Sequence, residues 1–170
     1  MDLKQIIRTI PDFPEAGILF RDITPILQNA DYLKEALDQF TEKLEGINFD
    51  KVVGPESRGF IFGVPLACNL HKGFIPVRKA GKLPFNVVSK SYSLEYGNAT
   101  IEMHTDAISK GENIVIIDDL LATGGTCKAM VELIEEMGAN VVAIVFLIEL
   151  EALGGRNVLA GYNVQSIMKY

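Results

Sequence analysis

The sequence predicts a single α/β domain, doubly wound, with a mainly parallel sheet covered by helices on both faces. Three observations carry this expectation. Residues 112–149, ENIVIIDDLLATGGTCKAMVELIEEMGANVVAIVFLIE, read as an apolar strand, a glycine-bearing turn, an amphipathic helix closing at Gly138 and a second apolar strand. Strands that are apolar without alternation are buried on both sides, as in parallel sheets joined by crossover helices. Residues 51–70 repeat the strand, turn, helix order, and a chain of 170 residues that is 48% hydrophobic has the size and apolar content of one self-sufficient domain.

The elements follow in order. Leu33, Ala36, Leu37, Phe40 and Leu44 recur at helical spacing, with Asn29 or Asp31 to cap the start and Gly46 to stop the helix. In KVVGPESRGFIFGVPLACNLHKG, residues 51–73, a β-branched run breaks at Gly54-Pro55 and a helical pattern resumes through Phe60, Val64, Ala67 and Leu70. Residues 74–79, FIPVRK, give another short strand. Strand pieces at Val87–Val88, Ser91–Leu94 and Thr100–Met103 flank Gly97-Asn98, a hairpin turn in an excursion able to stand off the main sheet. The tail GYNVQSIMKY adds one last short strand, and the chain shows no internal repeat or low-complexity tract.

Composition narrows the function. A formal net charge of -6 argues against a nucleic-acid-binding surface as the main purpose, because phosphate backbones are held by clustered Lys and Arg. An anionic small molecule needs only a locally basic pocket. The start MDLKQIIRTIPDFPEAG has no long apolar run after its charges, and no stretch reaches the roughly 18 apolar residues of a membrane span, so a cytoplasmic protein is expected. Cys68 and Cys127 lack metal-ligand spacing and fall within apolar helical patterns, which predicts two buried thiols in a reducing compartment.

The most informative segment is IVIIDDLLATGGT, residues 114–126. Thr123, Gly124, Gly125 and Thr126 lie where a strand turns into a helix, so backbone N–H groups and two hydroxyls converge on one anion at a helix N-terminus. Glycine permits positive φ and close backbone approach, and threonine adds donors without charge. Asp118 and Asp119 end the strand just before this cradle, at the carboxyl edge where open α/β sheets bind ligands; two acids there suit vicinal ribose hydroxyls. The plainer alternative is an Asp-capped tight turn. A P-loop would need G-x-x-x-x-G-K-[ST] and a dinucleotide site G-x-G-x-x-G; neither is present.

An apolar strand followed by two acids and a threonine- and glycine-rich loop resembles the phosphoribosyl pyrophosphate motif of the type I phosphoribosyltransferases. Further segments resemble the adenine-specific branch of that family: Phe13-Pro14 through Gly17 to Pro25, Glu56-Ser57-Arg58-Gly59-Phe60, Arg78-Lys79 to Lys82 and Pro84, and Ser91 to Gly97. The resemblance spans nearly the whole chain. It implies a five-stranded parallel core sheet with a small hood at residues 1–30, a flexible catalytic loop over residues 78–103, and a homodimer. The implied reaction joins adenine to phosphoribosyl pyrophosphate, giving AMP and pyrophosphate, with magnesium as cofactor.

The resemblance also implies roles residue by residue. Asp118 and Asp119 match ribose-binding acids, and Ala122, Thr123, Gly124, Gly125 and Thr126 match the loop that holds the 5′-phosphate. Pro55, Glu56, Ser57 and Arg58 match a pyrophosphate loop; Arg78, Lys79 and Lys82 match basic residues that meet pyrophosphate, from the same subunit or its dimer partner, a solvated basic face being the alternative. Leu19 and Arg21 match positions whose backbone reads adenine, while Phe20 is placed to stack on the base or to serve as core. Glu95 matches the candidate acid/base beside Arg58 as catalytic residues. Magnesium is expected mainly on substrate oxygens, with Asp118 or Asp119 contributing, and no dedicated metal cage.

Base choice has its own argument. Family members that use hypoxanthine or guanine carry an acid at the first position of the phosphate loop and a Lys near a sheet end. Here those features are replaced by Ala122 and by a strand, VVAIVFLIE, without Lys. Both omissions fit adenine. The alternatives are a phosphoribosyltransferase for another base, or a regulator that senses phosphoribosyl pyrophosphate without catalysis, which would need an appended basic segment.

Overall fold

The computed structural model describes residues 1–94 and 96–170. Two short strands, β1 (Arg8–Pro11) and β2 (Leu19–Asp22), pair antiparallel and precede α1 (Thr24–Leu27) and α2 (Ala30–Lys43). Then come β3 (Lys51–Pro55), α3 (Arg58–Asn69), β4 (Gly73–Lys79), and the hairpin of β5 (Val87–Ser93) and β6 (Asn98–His104). The crossover of β7 (Asn113–Leu121), α4 (Gly125–Glu136) and β8 (Asn140–Glu149) is followed by α5 (Gly155–Val158) and β9 (Val164–Lys169).

The main sheet has seven strands in the order β5-β6-β4-β3-β7-β8-β9. From β4 to β9 every neighbouring pair is parallel, giving the five-stranded core that was expected. The separate β1-β2 ribbon forms the hood. The hairpin does not stand off: β6 pairs with the end of β4 through Arg78↔Glu102 and Lys79↔Ile101, extending the sheet with two antiparallel strands.

Alternation along the central strands separates two cores. Val115 and Ile117 of β7 face a cluster with Phe40, Phe62 and Leu66, whereas Ile114 and Ile116 face one with Met130, Leu133 and Ile134. Side chains point to opposite sides at every step of a strand, so one strand serves both helix layers. The alternation slips at the acidic pair: Leu120 joins the first cluster and Leu121 the second. Asp118 and Asp119 sit in the slip and face the cleft rather than either core.

Local chemistry explains the element ends. Asn29 caps α2, its side chain accepting from the N–H groups of Asp31 and Tyr32. The first strand–helix unit departs from expectation: β3 runs through Gly54 and Pro55 and turns only at Glu56-Ser57. A Cβ on Gly54 would lie 3.0 Å from the Ile117 carbonyl oxygen, so glycine lets β3 and β7 approach. The inward stripe of α3 is Gly59, Phe62, Gly63, Leu66 and Ala67, one register away from the expected one. Val64 is therefore 48% exposed, and Cys68 shares that outer stripe with Ile61 and Val64. Of the two thiols expected to be buried, only Cys127 is.

Candidate active site

The carboxyl ends of β3 and β7 open into a cleft of about 420 Å³. Two stretches form most of it, residues 55–58 at the end of β3 and the continuous run 118–127 from β7 into α4, joined by Lys79 and Phe146. The cleft thus brings together, of the residues singled out from sequence, Pro55, Glu56, Ser57, Arg58, Lys79, Asp118, Asp119 and the whole of Ala122 to Thr126.

Gly124 holds φ +85 and caps α4 without a side-chain bond, leaving the first-turn N–H groups directed at the cleft. The loop itself contributes small residues and hydroxyls, and the cleft's carboxylates come from Glu56, Asp118 and Asp119. Tyr92 of β5 shares a hydrogen bond of 2.8 Å with the Thr126 hydroxyl, and a Cβ on Gly125 would touch the same ring at 3.6 Å. The hairpin therefore braces the helix start. Tyr92 was not singled out from sequence, because nothing in a strand pattern says which distant turn its hydroxyl meets.

The acids differ in setting. Asp119 is 7% exposed, with Arg58 Nε 2.6 Å from its carboxylate, and its N–H donates to the Asp118 carboxylate at 2.8 Å. Burial, reinforced by the charge of Asp119, pushes the Asp118 carboxyl well above the usual carboxylate range. Burial and the nearby Asp118 also raise the Cys127 thiol, so this cleft cysteine is an inert packing group.

Arg78 and Lys82 reach the site through Glu56. The Glu56 carboxylate lies 3.0 Å from Lys82 Nζ and 3.4 Å from Arg78 Nε, and accepts from the Lys79 N–H at 2.7 Å. Burial alone would raise its pKa, but the Lys79 N–H and Lys82 lower it on balance. Glu56 collects the cations, so its part in an anion site is to hold them together. The Glu56–Ser57 peptide is cis.

The hood meets the cleft where the Arg58 guanidinium stands 5.9 Å from the Phe20 ring. Phe20 packs edge-on against Phe13 at 5.1 Å, and Leu19 is 54% exposed. The Arg21 side chain turns away, bonding the Thr9 hydroxyl at 2.5 Å and covering the Tyr170 ring at 4.1 Å. That leaves backbone as what β2 offers a ligand at Arg21. Glu95 lies outside the described residues.

A model of the phosphoribosyl transferase domain matches residues 22–163. Over 168 residues the chain is 61% identical to the adenine phosphoribosyltransferase of Lachnoclostridium phytofermentans, covering 99% of this chain and 97% of that one. The chain belongs to the adenine phosphoribosyltransferase family.

Solved structures of the family agree with the fold. The Thermoanaerobacter pseudethanolicus member superposes with a TM-score of 0.97 at 49% identity, covering 99% of this chain and 98% of that one. The Saccharomyces cerevisiae member, complexed with an imino-altritol bisphosphate and adenine, gives 0.94 at 41% identity, covering 98% and 96%. Among the described residues no helix is long and apolar enough to cross a membrane.

Proposed function

We infer that this cleft transfers the phosphoribosyl group of phosphoribosyl pyrophosphate to adenine, forming AMP and pyrophosphate and so salvaging the free purine. The bond from the anomeric carbon to the pyrophosphate oxygen breaks, the bond to adenine N9 forms, and the base loses one proton. The observation that carries this reading is the convergence of the acid pair, the α4 N-terminus and the Arg58 turn on one cavity.

Displacement at the anomeric carbon gathers positive charge on the sugar and negative charge on the leaving group, so the site must position both and neutralise the second. Ala122 to Thr126 would hold the 5′-phosphate by N–H and hydroxyl donors, and Asp118 and Asp119 would accept from the ribose hydroxyls. Arg58, Lys79, Arg78 and Lys82, gathered around Ser57 and Glu56, would receive pyrophosphate. Adenine would lie under the hood beside Phe20, its edge read by the backbone of Leu19 and Arg21, with Glu95 managing the proton.

The donor set fits magnesium carried mainly by substrate oxygens. The cleft offers two adjacent carboxylates, and among the described residues no group of three or more His, Cys, Asp or Glu could hold a metal ion by itself. Bound there, with Asp118 or Asp119 contributing through water, the ion supplies charge neutralisation to the departing pyrophosphate. A reducing cytoplasm suits the two free cysteines. A homodimer suits the exposed Ile61 and Val64 on α3; a single-subunit mass in solution would remove it.

The decisive assay follows pyrophosphate release from phosphoribosyl pyrophosphate and magnesium with adenine, hypoxanthine, guanine, xanthine or orotate offered separately. Turnover with adenine alone is expected. Preference for another base would overturn recognition by backbone, and binding without turnover would favour a regulator.

A further inference from the structure

Behind the phosphate loop, away from the cleft, lies a contact that the reaction itself does not require. A Cβ added to Gly124 would stand 2.8 Å from the Gly155 carbonyl oxygen and 3.2 Å from its Cα. Reciprocally, a Cβ on Gly155 would stand 2.4 Å from the Ala122 carbonyl oxygen and 3.1 Å from the Gly124 nitrogen. Real Cβ atoms do not approach backbone so closely, so two glycine backbones are packed directly against each other.

Gly155 is itself held. Its neighbour Arg156 grips Glu149 with both arms, Nε to Oε1 at 2.9 Å and an Nη to Oε2 at 2.6 Å, and its other Nη donates to the Val164 carbonyl at 2.6 Å. Ser166 donates to the same carboxylate at 2.5 Å, and Glu149 is only 3% exposed. Glu149 pairs in register with Leu121, and the Leu150 N–H donates to the Leu121 carbonyl at 2.9 Å. Leu121 is the residue from which the phosphate loop departs. The path from Leu121 through the loop to Gly155, Arg156 and Glu149 therefore returns to Leu121.

We propose that Gly155, fixed by the Arg156–Glu149 pair, is a positioning element that sets the shape of the phosphate loop and hence its affinity for the 5′-phosphate. The proposal rests on the reading of residues 122–126 as the phosphate site. A loop whose donors are backbone N–H groups has no side chain to correct a shift, so its grip depends on what lies behind it. A displacement of about 1 Å is enough to cost up to roughly 100-fold in a positioned interaction.

The test measures ribose 5-phosphate binding by calorimetry, together with the KM values for phosphoribosyl pyrophosphate and adenine. Gly155→Ala is expected to weaken ribose 5-phosphate roughly 10- to 100-fold and to raise the phosphoribosyl pyrophosphate KM while leaving the adenine KM near wild type. Arg156→Lys keeps the charge but loses the fork and should shift binding in the same direction by less. It carries the test if Gly155→Ala does not fold. Leu44→Ala, at the far end of α2, supplies a destabilised control whose ribose 5-phosphate affinity should stay unchanged. Wild-type affinity in both loop-side variants, or a parallel rise in both KM values, overturns the inference. If the wild-type protein itself binds no ribose 5-phosphate, the reading of the loop fails and the inference falls with it.

Discussion

Asp119 and Glu149 are both buried acidic side chains and each meets an arginine, yet the two pairs are built differently. Asp119 touches Arg58 at 2.6 Å with Asp118 beside it and the cleft in front. Glu149, at the end of β8, is forked by Arg156, bonded by Ser166, and 3% exposed. A buried charge costs several kcal/mol unless its hydrogen-bonding capacity is filled. In Glu149 the filling is internal, so the pair fixes structure. In the Asp118–Asp119 pair part of the capacity faces the cavity, where on the proposed reading ribose hydroxyls would complete it.

The comparison breaks most visibly at Asp119. Asp119→Asn should lower kcat/KM by about 100- to 1000-fold, the scale of losing one preorganised charge contact to a reacting ligand. Its Tm should move little, because the Arg58 side chain is 46% exposed and water can solvate it. Steady-state kinetics alongside thermal melting reads both. A large fall in Tm with only a proportionate loss of activity would make the Asp119 pair as structural as that of Glu149.

Glu149→Gln should act mainly on stability, costing about 2 kcal/mol because a neutral amide cannot accept at both oxygens from Arg156 and Ser166 in a site 3% exposed, with a smaller loss of ribose 5-phosphate affinity through Gly155. The Arg156 fork, with Ser166 and Lys169, brings the Glu149 carboxyl from 4.5 down to about 2. A depressed carboxyl stabilises the fold above its unfolded pKa and loses that contribution as pH falls through its folded pKa. The Tm gap between wild type and Glu149→Gln should thus be constant above about pH 5 and narrow steadily toward about pH 2. A gap independent of pH down to that limit would assign the stabilisation to packing instead of charge.

How much of this was legible in the sequence follows from the range of the interactions. The β7-α4-β8 crossover, the Asn29 cap and the cradle at Thr123 to Thr126 are local, written in periodicity and in turn chemistry within a dozen residues. The β1-β2 hood ribbon was not legible as strands, since both are four residues long, neither holds a fully buried residue, and they are joined by a segment containing Pro14 and Gly17. The α3 stripe was misplaced by one register because the helix is apolar almost all round, which leaves Phe60, Phe62 and Val64 equally eligible for the core. Gly155, behind Gly124, is a contact between glycines 31 positions apart, 155 less 124, and no local pattern marks it. Glu56 was recognisable as part of the anion loop by position, but its role as the anchor for Arg78 and Lys82 appears only once β3, β4 and the turn after β4 are brought together.

The smallest expected effect tests whether the proposed phosphate loop needs support from the hairpin as it does from Gly155. Tyr92→Phe removes the 2.8 Å hydrogen bond to Thr126 and little else, a loss of about 1 kcal/mol for a neutral pair. If the bond orients the Thr126 hydroxyl toward the phosphate, the KM for phosphoribosyl pyrophosphate should rise by roughly fivefold while the adenine KM holds, since 1.4 kcal/mol corresponds to tenfold. Thr126→Ser, which keeps the hydroxyl, should stay near wild type. Equal KM values for wild type and Tyr92→Phe would mean that the hairpin only rests on α4. The loop's shape would then depend on its rear contact with Gly155, where backbone meets backbone and no rotamer can compensate.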